Sequence, residues 1–147
     1  MQNSKESISA KVKMLASKFD FEDSAVLINI PQVPMEYLEK EVALKRGYFA
    51  YHPHSLLYIA ACFREAGVKR TIVDLNYEVL IAIQNGVEDL DKHWKACLTK
   101  EISRHKKPIL CVSFMFEATK PILIEVCKFL RAEYPGLCIW TGGVNAT

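Results

Sequence analysis

Small and polar residues gather where the apolar runs of this chain end. Gly142-Gly143 follows Leu137-Cys138-Ile139-Trp140. A diglycine there lets a ligand approach the backbone closely, because no Cβ stands in the way; a plain turn after an edge strand is the alternative. Ser113 closes the run Ile109-Leu110-Cys111-Val112, where its hydroxyl can meet a buried ligand atom or merely bond backbone. Asp74 and Asn76 end Thr71-Ile72-Val73-Asp74-Leu75, and such residues cap or turn a chain as readily as they bind. More familiar chemistry is missing. Neither G-x-G-x-x-G nor G-x-x-x-x-G-K-[ST] occurs, so a cofactor held by its phosphates is not expected. No Ser or Cys sits in a nucleophile elbow, and no carboxylate pair is spaced for acid–base work. The cysteines (Cys62, Cys97, Cys111, Cys127, Cys138) number five, lie far apart among aliphatic neighbours and form no C-x-x-C. They read as buried free thiols in a reducing compartment, with no support for a zinc or iron–sulfur site.

These residues need elements to position them. Ile8, Val12, Leu15 and Phe19 make one helical stripe, with Ser4 or Ser7 available as its cap. An acidic joint at 20–23 separates this N-terminal helix, residues 1–23, from an α/β domain over 24–147. Ala25 to Ile30 reads as a buried strand stopped by Pro31. The stretch 31–53 has weak periodicity and ends in aromatics (Tyr48, Phe49, Tyr51); a connection this long is usually functional or disordered, and its aromatics argue against simple disorder. A helix with Ser55 as cap carries Leu56, Leu57, Ile59, Ala60 and Phe63 and closes at Gly67 in the C′ position. After the strand Thr71–Leu75 comes a crossover with a short apolar segment, Val79 to Ile83, and a helix showing Leu90, Trp94, Cys97, Leu98 and Ile102 on one face. The strand Ile109–Phe114, a helix capped by Thr119 with Pro121 in its first turn, and the strand Leu137–Trp140 complete the series. Strands alternating with helices imply a parallel sheet covered on both faces. Ligands of such sheets bind outside the carboxyl ends of the strands.

Composition narrows the classes further. The 147 residues suit one domain able to bury a core without metals or disulfides. The net charge of +2 comes from interspersed charges with no basic block, which gives no electrostatic case for nucleic acid. No apolar run approaches the ~20 residues that cross a bilayer, and the polar start Met1-Gln2-Asn3-Ser4-Lys5-Glu6 has no secretory pattern. The expectation is a cytoplasmic protein with neither nucleic-acid nor membrane partner.

Taken in order, the motifs resemble the cobalamin-binding N-terminal domain of class B radical S-adenosylmethionine enzymes. Ile28-Asn29-Ile30-Pro31 stands where that family has a strand ending in Asn-Pro-Pro. His52-Pro53-His54-Ser55-Leu56-Leu57-Tyr58-Ile59-Ala60-Ala61-Cys62-Phe63-Arg64-Glu65-Ala66-Gly67 is similar to its Pro-Pro-Leu-Gly-Leu-x-Tyr-Leu-Ala-Ala-x-Leu-Arg-x-x-Gly helix. Ile72-Val73-Asp74-Leu75-Asn76 and Val112-Ser113 resemble its second and third strands, and Gly142-Gly143-Val144-Asn145-Ala146-Thr147 its Gly-Gly-Pro-His-Ala-Thr. The likeness covers residues 25–147. Ser55, Val144 and Asn145 depart from the family's glycine, proline and histidine.

The resemblance implies a flavodoxin-like (Rossmann-type) three-layer sandwich, strand order 2-1-3-4, without the usual fifth strand. It also implies cobalamin as cofactor, its nucleotide tail against Ser113 and Gly142-Gly143 and its corrin ring over the strand ends. Cofactor contacts are thereby expected from Asn29, Pro31, His52, His54, Ser55, Asp74, Asn76, Ser113, Gly142, Gly143 and Thr147. No catalytic residue is expected. The iron–sulfur cluster and S-adenosylmethionine would belong to a downstream radical S-adenosylmethionine barrel, the chain's expected partner and the other part of a longer enzyme such as a methyltransferase. No protein metal ligand is expected. His52 falls in the register of the cobalt-binding histidine of cobalamin carriers, but Ala50 cannot supply the carboxylate that orients such a ring. The open edge left by the missing strand invites self-association. Two alternatives stay open: a family domain that has lost cobalamin and serves as scaffold, and a flavodoxin-like regulatory or interaction domain for another ligand.

Overall fold

The structure is a computed structural model that describes residues 2–22, 24–34 and 52–144. Tyr48, Phe49, Ala50, Tyr51, Asn145, Ala146 and Thr147 lie outside the described residues, so the expectations for the aromatic loop and for Thr147 are not addressed by it.

The elements are α1 (Gln2–Phe19), β1 (Ser24–Asn29), α2 (His54–Glu65), β2 (Lys69–Asp74), α3 (Leu75–Gln84), α4 (Leu90–Ile102), β3 (Ile109–Ser113), α5 (Lys120–Glu133) and β4 (Ile139–Gly142). A 3-10 turn, Glu117–Thr119, leads into α5. The four strands form one parallel sheet, as the alternation of strands and helices implies, and their order is the expected flavodoxin-like β2-β1-β3-β4.

Side chains alternate across the sheet, so each strand feeds two layers. Val26 and Ile28 of β1, Val73 of β2 and Leu110 and Val112 of β3 pack with Val79, Leu98, Val126 and Leu130 from α3, α4 and α5. On the other face, Ala25 and Ile109 meet Val12, Leu15 and Ala16 of α1, while Leu27 meets Leu56 and Ala60 of α2. The central strand β1 is buried at every residue, as its unbroken apolar run requires. The edge strands are not: Lys69 and Arg70 of β2 and Thr141 and Gly142 of β4 are exposed. Among the described residues, no helix is long and apolar enough to cross a membrane.

Several local expectations are corrected. Helix α1 spans Gln2–Phe19, so Ser4 and Ser7 lie within the helix and not ahead of it. Pro53, not Ser55, occupies the N-cap of α2, and its carbonyl accepts the first intrahelical bond from the Leu57 amide at 3.0 Å. β2 stops at Asp74 because the Asp74 carboxylate accepts from the Tyr77 amide at 3.3 Å and starts α3 there, which turns Leu75 from strand into helix. β4 lies two residues later than expected, carrying Gly142 into the ladder opposite Ser113. Thr119 does sit at the N-cap of α5, but its hydroxyl donates backward to the Phe116 carbonyl at 2.7 Å instead of capping. Gly67 meets its expectation, taking φ +77° just past the end of α2. All five thiols are free, yet Cys62 is exposed and the other four are only half-buried.

Candidate functional site

Register brings four of the expected residues into one row. Asn29 pairs with Asp74 on one side and with Ser113 on the other, and Ser113 pairs with Gly142. The row Asp74–Asn29–Ser113–Gly142 therefore crosses the whole sheet at its carboxyl end. By the alternation of the strands, all four share the face covered by α1 and α2. Asn29 is buried, and its amide donates to the Asp74 carboxylate at 2.8 Å, so one carboxylate both caps α3 and holds Asn29 in place. Ser113 is buried too, beside Asn29 in the same row.

Beside this row lies a groove of about 330 Å³ between α2 and the ends of β3 and β4. Leu56, Ile59 and Phe63 form its helix wall, Cys111, Ser113 and Trp140 its sheet floor, and Ser55, Gly142 and Gly143 its mouth. Helix α2 supplies that wall because Leu56, Ala60 and Phe63, spaced four and three apart, turn one stripe to the sheet. Trp140 is held edge-on by Phe19 and Phe21, with ring centroids 5.6 and 6.1 Å away. A Cβ built on Gly142 would meet nothing within 4 Å, so the absence of a side chain there keeps the groove open. Gly143 answers a different need: at φ +133°, its Cβ would lie 2.0 Å from the Phe114 carbonyl oxygen. Burial, with Cys138 nearby, pushes the Cys111 thiol up to about 12, so it stays protonated and contributes an apolar surface.

The remaining expected residues fall outside the groove. Asn76 is fully buried in α3, where its side-chain oxygen accepts from the Gln32 amide at 2.9 Å and so ties down the chain just after Pro31. His52 and His54 are exposed at the approach to α2, their rings 6.3 Å apart, and neither lines the groove. Among the described residues three clefts are larger: two, of about 690 and 680 Å³, lie around Phe21, Glu22 and His105 near the opposite ends of the strands, and one of about 430 Å³ lies between α2 and β2 beside Arg64 and Arg70.

One constellation was not foreseen from the sequence. Glu78 of α3 meets His93 and Cys97 of α4 on the other face of the sheet. The His-x-x-x-Cys spacing was its only local signal; the carboxylate joins through tertiary packing. Comparison with protein-family models, with curated proteins and with solved structures finds no match to this chain.

Proposed function

We propose that this chain is a cobalamin-binding domain whose groove between α2 and the ends of β3 and β4 takes the nucleotide tail, with the corrin ring over the strand ends. The observation that carries the reading is the open groove at Gly142, continuous with the polar row from four strands. A volume of about 330 Å³ lies at the small end of the range of ~300–1,000 Å³ for ligand sites. It suits a planar heterocycle with its sugar and is too small for a corrin ring, which must stay outside. The lining fits such a tail: Leu56, Ile59, Phe63 and Trp140 supply apolar walls, and Ser113 supplies a hydroxyl that can bond a polar tail atom.

Each residue has a defined task in this proposal. Asp74 orders Asn29, which sets the polar edge beside Ser113. Gly143 lets β4 close on Phe114, whose amide donates to the Gly142 carbonyl at 2.7 Å, so the groove floor ends in fixed backbone. Bound cobalamin would supply methyl-transfer or electron-transfer chemistry to a radical S-adenosylmethionine barrel in a longer enzyme. The residues of this chain bind and orient, and none is assigned a catalytic step.

The test is uptake of hydroxocobalamin, followed by absorbance after gel filtration, by the wild-type chain and by Gly142→Leu. The leucine side chain would stand in the groove without touching the core, so the variant is expected to fold and to lose the cofactor. Equal uptake by both proteins overturns the site. A folded wild-type chain that takes up none supports the scaffold reading.

A further inference from the structure

Glu78 stands in the first turn of α3, and His93 and Cys97 lie four residues apart on α4, hence on the same side of that helix. The Cys97 Sγ is 3.7 Å from the His93 Nε2 and 3.9 Å from the Glu78 Oε2, and the Nε2–Oε2 distance is 4.0 Å. The three donor atoms make a nearly equilateral triangle. Around tetrahedral zinc, with bonds of about 2.0–2.3 Å, ligand atoms stand roughly 3.3–3.6 Å apart. The two edges to sulfur thus need to close by roughly 0.2–0.4 Å and the Nε2–Oε2 edge by about 0.7 Å, which side-chain rotation can supply. The His93 and Glu78 side chains keep 30% and 45% of their surface exposed, which leaves a fourth position open to water.

We propose that Glu78, His93 and Cys97 form a zinc site with one solvent ligand, joining α3 to α4 on the sheet face away from the groove. Thiolate, imidazole and carboxylate together select a borderline-soft divalent cation over magnesium or calcium. A competing use of the same residues, a cysteine nucleophile activated by histidine, is disfavoured. The Glu78 carboxylate 3.9 Å from the sulfur opposes the formation of a free thiolate, which a bound cation would instead favour. Zinc reverses that balance: the S–H proton leaves to solvent as the zinc–sulfur bond forms, with no change of oxidation state. The ion would tie α3 to α4 across the helix pair that follows β2, while its solvent-held fourth position leaves it open to exchange.

Cobalt(II) is the probe, added to the chelator-treated 147-residue chain without any corrinoid, so the result does not depend on the cobalamin proposal. Saturation at one equivalent is expected, with a thiolate-to-cobalt charge-transfer band and the intense visible bands of tetrahedral cobalt, all displaced by zinc. Cys97→Ala should abolish the charge-transfer band, and His93→Ala and Glu78→Gln should each weaken binding at least about tenfold. Cys62→Ala, which removes the exposed thiol, should change nothing. The proposal is overturned by a wild-type chain without the band, by a band that survives in Cys97→Ala, or by one lost in Cys62→Ala. Circular dichroism checks each variant; should Cys97→Ala not fold, an unchanged cobalt affinity in Glu78→Gln overturns the site by itself.

Discussion

Gly142 and Gly143 are neighbours whose requirements differ, and the difference is measurable. At Gly143 any side chain meets the Phe114 carbonyl at 2.0 Å, and φ +133° is a backbone conformation that other residues rarely adopt. Gly143→Ala is expected to lose at least about 1–3 kcal/mol of stability, because the β4 end must pull away from Phe114. Gly142→Ala adds a methyl group to open space and should stay within about 0.5 kcal/mol of wild type. Urea denaturation of the pair checks this, and equal losses would contradict the account. The sequence identified the diglycine as a candidate site but could not separate its members. Their roles depend on β4 pairing with β3 two residues later than the apolar run suggested. Ser55 illustrates the converse: as a cap it looked well placed, but Pro53 takes the N-cap and leaves Ser55 at the groove mouth.

At the scale of elements, the strands themselves were legible because β1 and β3 are apolar runs bounded by clear breakers, Pro31 and Pro108 among them. Boundaries were less so where a polar residue switches the chain from strand to helix, as Asp74 does by capping α3. The Glu78–His93–Cys97 cluster was illegible, since its third member comes from a neighbouring helix. The α4–β3 connection carries a pH-dependent element of stability. His105 is buried there, its Nε2 3.0 Å from the Thr71 hydroxyl and its Nδ1 without a partner among the described residues. Burial first, and the Lys69 charge second, lower its pKa from 6.5. The folded chain therefore keeps the ring neutral at a pH where the unfolded chain already takes up a proton. Stability should be full above pH 6.5 and fall as pH drops below it, levelling off beneath the lowered folded value. Urea midpoints measured across this range should fall less steeply in His105→Asn than in wild type; identical slopes would remove His105 from the explanation.

For the molecule as a whole, the sheet presents two unlike ends and two unlike faces. The carboxyl end gathers Asp74, Asn29, Ser113 and Gly142 into a row that no short stretch of sequence contains, because each comes from a different strand. The α2 face holds the groove, and the opposite face holds the larger buried cluster and the proposed zinc site. The central claim is that the groove receives the nucleotide tail of cobalamin, so the most direct test compares corrinoids that differ only in that tail. Absorbance titrations of the folded 147-residue chain would use hydroxocobalamin and cobinamide, which keeps the corrin ring and lacks the nucleotide. The account predicts that hydroxocobalamin binds with its base released from cobalt and that cobinamide binds at least about tenfold more weakly, as expected when an apolar slot is left unfilled. Equal affinity for the two, or no uptake of either by the folded chain, would contradict it.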